Sequence, residues 1–212
     1  MSTISSPAEQ RVILANIRWS TYEAILNDAE TRRGRMAFDE GVLEIMAPSK
    51  AHENAKSLIG RLIETFTEQL GIDVCSVGST TFKREDLQKG FESDECYYIA
   101  HAAAVREKDE IDLTVDPAPD LAVEVDISRT SMGKFRIYGA IGVPEVWRYD
   151  GTSLRVYVHL QADEYQETQR SQALPQLPID VLVDFLNQRH LQSETQIIRS
   201  FRAWVGQQFG SA

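Results

Sequence analysis

The 212 residues, 42% hydrophobic and 25% charged, suffice for a real core, and no apolar run nears the roughly 18 residues of a membrane span. Two cysteines, Cys75 and Cys96, and four scattered histidines lack zinc-ligand spacing, and Met1 to Gln10 lacks a secretion signal; structural thiols in a cytoplasmic protein are expected. A net charge of −10, with only Arg32-Arg33-Gly34-Arg35 and Lys83-Arg84 as basic runs, argues against tight, unspecific DNA binding.

After an N-terminal segment, residues 1–19, Ser20 and Glu23 form a capping-box signal that predicts a helix over about 20–29. Met36–Phe38 and Val42–Met46 flank Asp39-Glu40-Gly41 as a hairpin, which Pro48 and Ser49 stop. From His52 to Leu70, the apolar residues Ala55, Leu58, Ile59, Leu62, Ile63, Phe66 and Leu70 recur at three- and four-residue steps. This predicts one long amphipathic helix packed on a sheet and closed by Gly71. Short strands at Asp73–Val77 and Thr80–Lys83 precede a charged loop to Ser93, a strand Glu95–Ile99, a short helix from His101 and an acidic excursion to Pro119. Then come a strand Leu121–Ile127, a helix over 132–141, and strands Val146–Tyr149 and Leu154–His159 joined at Asp150-Gly151. Helices over about 180–189 and 194–208 close the chain, the last offering Ile197, Ile198, Phe201 and Trp204 to a second copy or to its own sheet. Interleaved strands and helices indicate an α/β fold with a mixed sheet, in a single domain over residues 20–212.

The chemistry concentrates in Asp120-Leu121-Ala122-Val123-Glu124-Val125-Asp126-Ile127. Side chains alternate across a strand, so Leu121, Val123, Val125 and Ile127 share one face and Asp120, Ala122, Glu124 and Asp126 the other. Such an acidic face is either the solvated side of an edge strand or a site for a hard cation with oxygen ligands. At about 3.3 Å per residue, Glu124 and Asp126 stand roughly 6–7 Å apart and can converge, whereas Asp120 is roughly 13 Å from Glu124 and suits a capping or outer role. A further acid is expected from a neighbouring strand, and Asp94 precedes one. Tyr97, Tyr98, Trp147 and Tyr149 read as packing residues in strands, and Gly139 and Gly142 as helix packing and termination.

Several ordered stretches carry a resemblance: Glu40-Gly41 through Met46-Ala47-Pro48 with His52; Ser93-Asp94; Pro119-Asp120-Leu121 through Glu124; and Lys134…Tyr138 followed by Gly142-Val143-Pro144-Glu145-Val146-Trp147. From Ser20 to about Leu186 the chain resembles a large bacterial family of restriction-endonuclease-like proteins in the PD-(D/E)XK nuclease superfamily. The resemblance implies a restriction-endonuclease-like mixed β-sheet flanked by helices. It matches Asp94 to the metal-binding Asp and Glu124 to the acid of the (D/E)XK element. Asp126 stands where that element's lysine would be, and Lys134, on the following helix, is the replacement the family offers; the other reading of Lys134 is a surface lysine at a helix start.

The expectation is a Mg²⁺-dependent (or Mn²⁺-dependent) endonuclease hydrolysing DNA, with metal on Asp94, Glu124 and Asp126 and catalysis by Asp94, Glu124 and Lys134. His52 is read as a catalytic helper or as a structural residue bonding the loop after Pro48. Glu53 is either an additional helix-borne acid or a cap. A homodimer suits an enzyme acting on two strands. The rival reading is a non-catalytic scaffold or binding module that keeps the nuclease fold.

Overall fold

The computed structural model describes residues 9–28, 34–127 and 133–210. In chain order it contains β1 (Gln10–Leu14), α1 (Trp19–Asn27), β2 (Arg35–Asp39), β3 (Val42–Ala47), α2 (Lys50–Leu70), β4 (Cys75–Ser76), β5 (Phe82–Arg84) and β6 (Lys89–Phe91). There follow β7 (Glu95–Tyr98), α3 (Ala102–Val105), β8 (Leu121–Val125), α4 (Phe135–Ile141), β9 (Glu145–Tyr149), β10 (Leu154–Gln161), β11 (Glu164–Thr168), α5 (Ile179–Asn187), a 3₁₀ turn at Gln188–His190 and α6 (Glu194–Phe209).

Among the described residues the strands form two sheets. One is mixed and six-stranded, in the order β11-β10-β9-β8-β7-β4, with β8 and β9 parallel. The other has five strands in the order β1-β3-β2-β6-β5, every pair antiparallel. The mixed α/β architecture is therefore as expected, and the second sheet is additional to it. Three strands, β6 and β1 of this sheet and β11 at the edge of the other, escape pattern reading for local reasons. β6 is only three residues inside a charged stretch, β11 is a polar edge strand, and β1, within the segment 1–19, is an exposed edge strand paired to β3.

The long helix forms because its apolar stripe has somewhere to go. Ala55, Leu58, Ile59, Leu62, Ile63 and Phe66 pack on Leu121, Val123 and Val125 of β8 and on Trp147 and Tyr149 of β9. Burying each large side chain is worth about 1.5–3 kcal/mol. The Ser49 side chain caps the first turn by accepting from the His52 N–H, and Gly71, at φ 65°, ends the helix in the left-handed region. α6 closes the same layer: Ile197, Ile198, Phe201 and the partly buried Trp204 join this core, so those apolar residues serve their own fold. Tyr97, Tyr98, Trp147 and Tyr149 are all fully buried.

The other face of the six-stranded sheet meets α4 and the second sheet through Ala122, Cys96, Tyr98, Val146, Ile137, Tyr138, Ala37, Phe82 and Phe91. α1 covers the far side of the five-stranded sheet. It starts at Trp19, with Arg18 at the N-cap and no side-chain cap bond; the expected Ser20 cap is absent. Packing decides this start, because Trp19 and Tyr22 bury against Phe38, Tyr22 stacking on it at 4.9 Å. Between the sheets, Glu92-Ser93-Asp94 carries the chain from β6 to β7 entirely inside the protein.

The first residue of the expected 132–141 helix lies outside the described residues; α4 itself runs from Phe135 and ends at Gly142, whose φ is 92°. Gly139 lets α4 press on the β10–β11 turn: a Cβ there would overlap the carbonyl oxygen of Ala162. Because backbone has to move, Gly139→Ala is expected to destabilise the protein by about 1–3 kcal/mol despite alanine's higher helix propensity. Urea denaturation checks this, and an unchanged or raised midpoint would refute the close approach.

Candidate functional site

The ladder between β7 and β8 pairs Cys96 with Ala122 and Glu95 with Val123, so Asp94 and Glu124 face each other one position further on. They come from antiparallel neighbours on the face that packs toward α4. Asp94 is fully buried, and Glu124 is 8% exposed. Lys134, at the start of α4, donates to Glu124 Oε2 at 2.8 Å, and Tyr138, four residues on along the same face, donates to Glu124 Oε1. Glu124 and Lys134 also line a cavity of about 90 Å³ with Asp126, Tyr138 and Arg148. Sequence reasoning thus brought together Asp94, Glu124 and Lys134, and the structure does the same.

Buried carboxylates of like charge repel and are costly to desolvate unless partnered. Both oxygens of Asp94 have partners. Its Oδ1 accepts from His52 Nε2 at 2.8 Å and lies 3.0 Å from Arg35 Nε, and its Oδ2 accepts from the Val125 N–H at 2.6 Å. Burial favours its neutral form, but the hydrogen bond and charge of His52, with Arg35 and Lys134, hold its pKa below the ordinary carboxylate range. Glu124 goes the other way: burial raises its pKa and the Asp94 charge adds to this, against the pull of Lys134. Burial disfavours the charged ammonium of Lys134, yet Glu124 and Asp94 outweigh that and keep it protonated.

His52 does not face the cavity. It is buried, with Nε2 on Asp94 and Nδ1 on Glu9 Oε1 at 2.7 Å; only its backbone N–H bonds Ser49 after Pro48. Burial opposes its charge, but hydrogen bonds to Asp94 and Glu9 push its pKa up to about 9. Glu53 pairs with Arg35 at 2.9 Å. Asp120 accepts from the Ile99 and His101 backbone N–H groups and from the His101 ring, fixing the turn after β7.

Asp126 differs from expectation. Its Oδ1 takes Arg11 Nη2 at 3.0 Å and its Oδ2 takes Arg148 Nη2 at 2.7 Å, so two guanidiniums hold it where a metal ligand was expected. Arg11 also bridges Glu44 at 2.9 Å and Glu9 at 3.2 Å. Arg11, Glu9, Arg35 and Arg148 were not read from the sequence. An aspartate in an otherwise buried strand signals that a cation must meet it, but nothing in local spacing says which.

Whether this donor set suits a divalent cation turns on free acceptor capacity. A carboxylate offers about four lone-pair sites, and Asp94 and Glu124 retain some after the bonds above. Mg²⁺ commonly uses one or two carboxylates and keeps several waters, so this pair fits it. Among the described residues no three His, Cys, Asp or Glu side chains gather to hold a metal ion, so the expected trio of Asp94, Glu124 and Asp126 does not form and a cation would rest on the first two with water.

The His52 pairing has a pH signature. Its folded pKa of about 9 lies above the unfolded value of 6.5, so the stabilisation is complete below about pH 6.5 and is lost as pH rises through 9. The shift corresponds to about 3 kcal/mol. Urea unfolding in chelator is expected to weaken by that order between pH 6.5 and 10, and His52→Gln to flatten the profile; a flat wild-type profile would refute the charged pairing.

No curated protein matches the chain at a significant level. A protein from Anabaena variabilis ATCC 29413, described as a putative nuclease belonging to DUF820, is similar at 15% identity with a TM-score of 0.49, over 71% of this chain and 90% of that one. A family model described as "Uma2: Putative restriction endonuclease" matches residues 19–192, which include Asp94, Glu124 and Lys134, and the protein belongs to that family.

Proposed function

We propose that the protein is a Mg²⁺- or Mn²⁺-dependent endonuclease that hydrolyses DNA phosphodiester bonds at Asp94, Glu124 and Lys134. One observation carries the reading: Asp94, just before β7, faces Glu124 of the adjacent β8, and Glu124 meets the Lys134 ammonium at the edge of a cavity. The family to which the chain belongs supports it. The reading includes a cytoplasmic location; among the described residues no helix is long and apolar enough to cross a membrane.

In this reading Asp94 and Glu124 hold the cation. When bound, it polarises the phosphodiester and lowers the pKa of a water. Hydrolysis forms a P–O bond to water and breaks one ester P–O bond, water's proton ending on the departing alcohol. Lys134 Nζ, kept charged, orients the water or offsets charge growing on the phosphoryl oxygens. The Tyr138 hydroxyl fixes one oxygen of Glu124, and Lys134 meets the other. His52, with both ring nitrogens on carboxylates, acts as a positioning residue for Asp94. Cutting two strands calls for a homodimer, whose contact would have to use a surface other than the internal apolar face of α6.

The decisive assay is nicking of supercoiled plasmid with Mg²⁺ or Mn²⁺. Glu124→Ala and Lys134→Ala are each expected to slow it by about a hundredfold or more, the scale for removing one preorganised charge. Activity unchanged by Glu124→Ala would remove the site. The engagement of both Glu124 oxygens by protein donors favours the second reading, a binding module that keeps the fold. Calorimetry separates the two: an enzyme binds Mg²⁺ and loses that binding in Glu124→Ala, whereas the module shows neither binding nor cleavage of DNA or RNA.

A further inference from the structure

The face of the six-stranded sheet that carries Glu124 continues beyond it. In the β8–β9 register Glu124 pairs with Arg148, and in the β9–β10 register Arg148 pairs with Arg155. Residues directly opposite in neighbouring strands share a face. Glu124, Arg148 and Arg155 therefore form a row across three strands, with Lys134 above its inner end.

Two arginines directly opposite each other are unfavourable by themselves. Each has a carboxylate to one side: Asp126 at 2.7 Å from Arg148, and Asp150 at 3.9 Å from Arg155. Arg155 also feels Tyr157 and Glu167. Arg148 is also held from below, its Cζ lying 5.6 Å from the centre of the Phe135 ring, which stacks on Tyr165 at 4.8 Å. A carboxylate and an aromatic ring thus fix its orientation while its side chain stays 39% exposed and lines the cavity with Glu124 and Lys134. A guanidinium has five N–H donors in a rigid fork, suited to bidentate contact with phosphate oxygens.

We infer that Arg148 binds the phosphate of a nucleic-acid strand at the Glu124–Lys134 cavity, that Arg155 takes a neighbouring phosphate on the next strand of the sheet, and that Asp126 is the positioning residue for Arg148. The inference rests on the nuclease reading for the identity of the ligand. It also accounts for a phosphate site in a chain of net charge −10: Lys134, Arg148 and Arg155 are brought together by strand register and the start of α4, not by a basic run.

The test has two arms. Binding of a labelled DNA duplex is measured in chelator between about 50 and 200 mM salt, where each phosphate contact contributes about one to the slope of log affinity against log salt. Arg148→Ala and Arg155→Ala are each expected to lower that slope by about one, and Arg148→Lys to restore it. Asp126→Asn is expected to weaken binding while leaving the slope with an intact Arg155 contribution. In the second arm, single-turnover nicking with Mg²⁺ is expected to fall about tenfold or more in Arg148→Ala, with partial rescue by lysine. Wild-type slopes in both alanine variants, or a wild-type protein with no salt-dependent duplex binding, overturn the phosphate row. If Glu124→Ala still abolishes nicking in that case, the nuclease reading stands without it. Slopes lost as expected in a protein that never nicks DNA retain the row as a nucleic-acid-binding surface and remove the nuclease reading.

Discussion

The carboxylate of Asp94 is the point where the parts of this protein meet. It sits inside the protein on the stretch that leaves one sheet for the other, and it collects an imidazolium from α2, a guanidinium from β2 and a backbone N–H from β8. An isolated charge there would be untenable. Every partner that makes it tenable also ties an element to the junction between the sheets, so the folding requirement and the placement of Glu124 opposite it have one solution. The cost is rigidity: His52 is locked between two acids, and those acids are in turn locked by arginines.

How much of this was legible depends on how local the signal is. The α2 stripe and the alternation of β8 repeat within a few residues, and both folded as the pattern dictates. Lys134 was legible through the resemblance, which offers a lysine on the helix after the strand; the bond from Tyr138 to Glu124 was not read from the sequence. β6 was not, since Lys89-Gly90-Phe91 is too short to show a period, and its partner β2 lies far back in the chain. Ser20 and Glu23 had the right spacing for a cap, and the burial of Trp19 overrode it. The site residues that escaped, Glu9, Arg11, Arg35 and Arg148, all act over long separations; Arg11 reaches Asp126 across 115 positions. No window along the sequence contains both ends of such a pair.

The acid at position 126 shows how electrostatics redistributes a role. A lysine there would bring one cation to Glu124 along its own strand. With aspartate, the neighbourhood acquires Arg11 from β1, Arg148 from β9 and Lys134 from α4, each anchored to an acid. The positive charge is then spread over three elements, and no basic run in the sequence betrays it.

The region that similarity recognises begins at residue 19, yet Glu9 and Arg11 lie before it. Similarity and charge balance draw different borders around this protein: the matched span leaves out a short ribbon that the counter-ion balance includes. Changes in that ribbon would be felt at the carboxylates without altering any residue of the matched span.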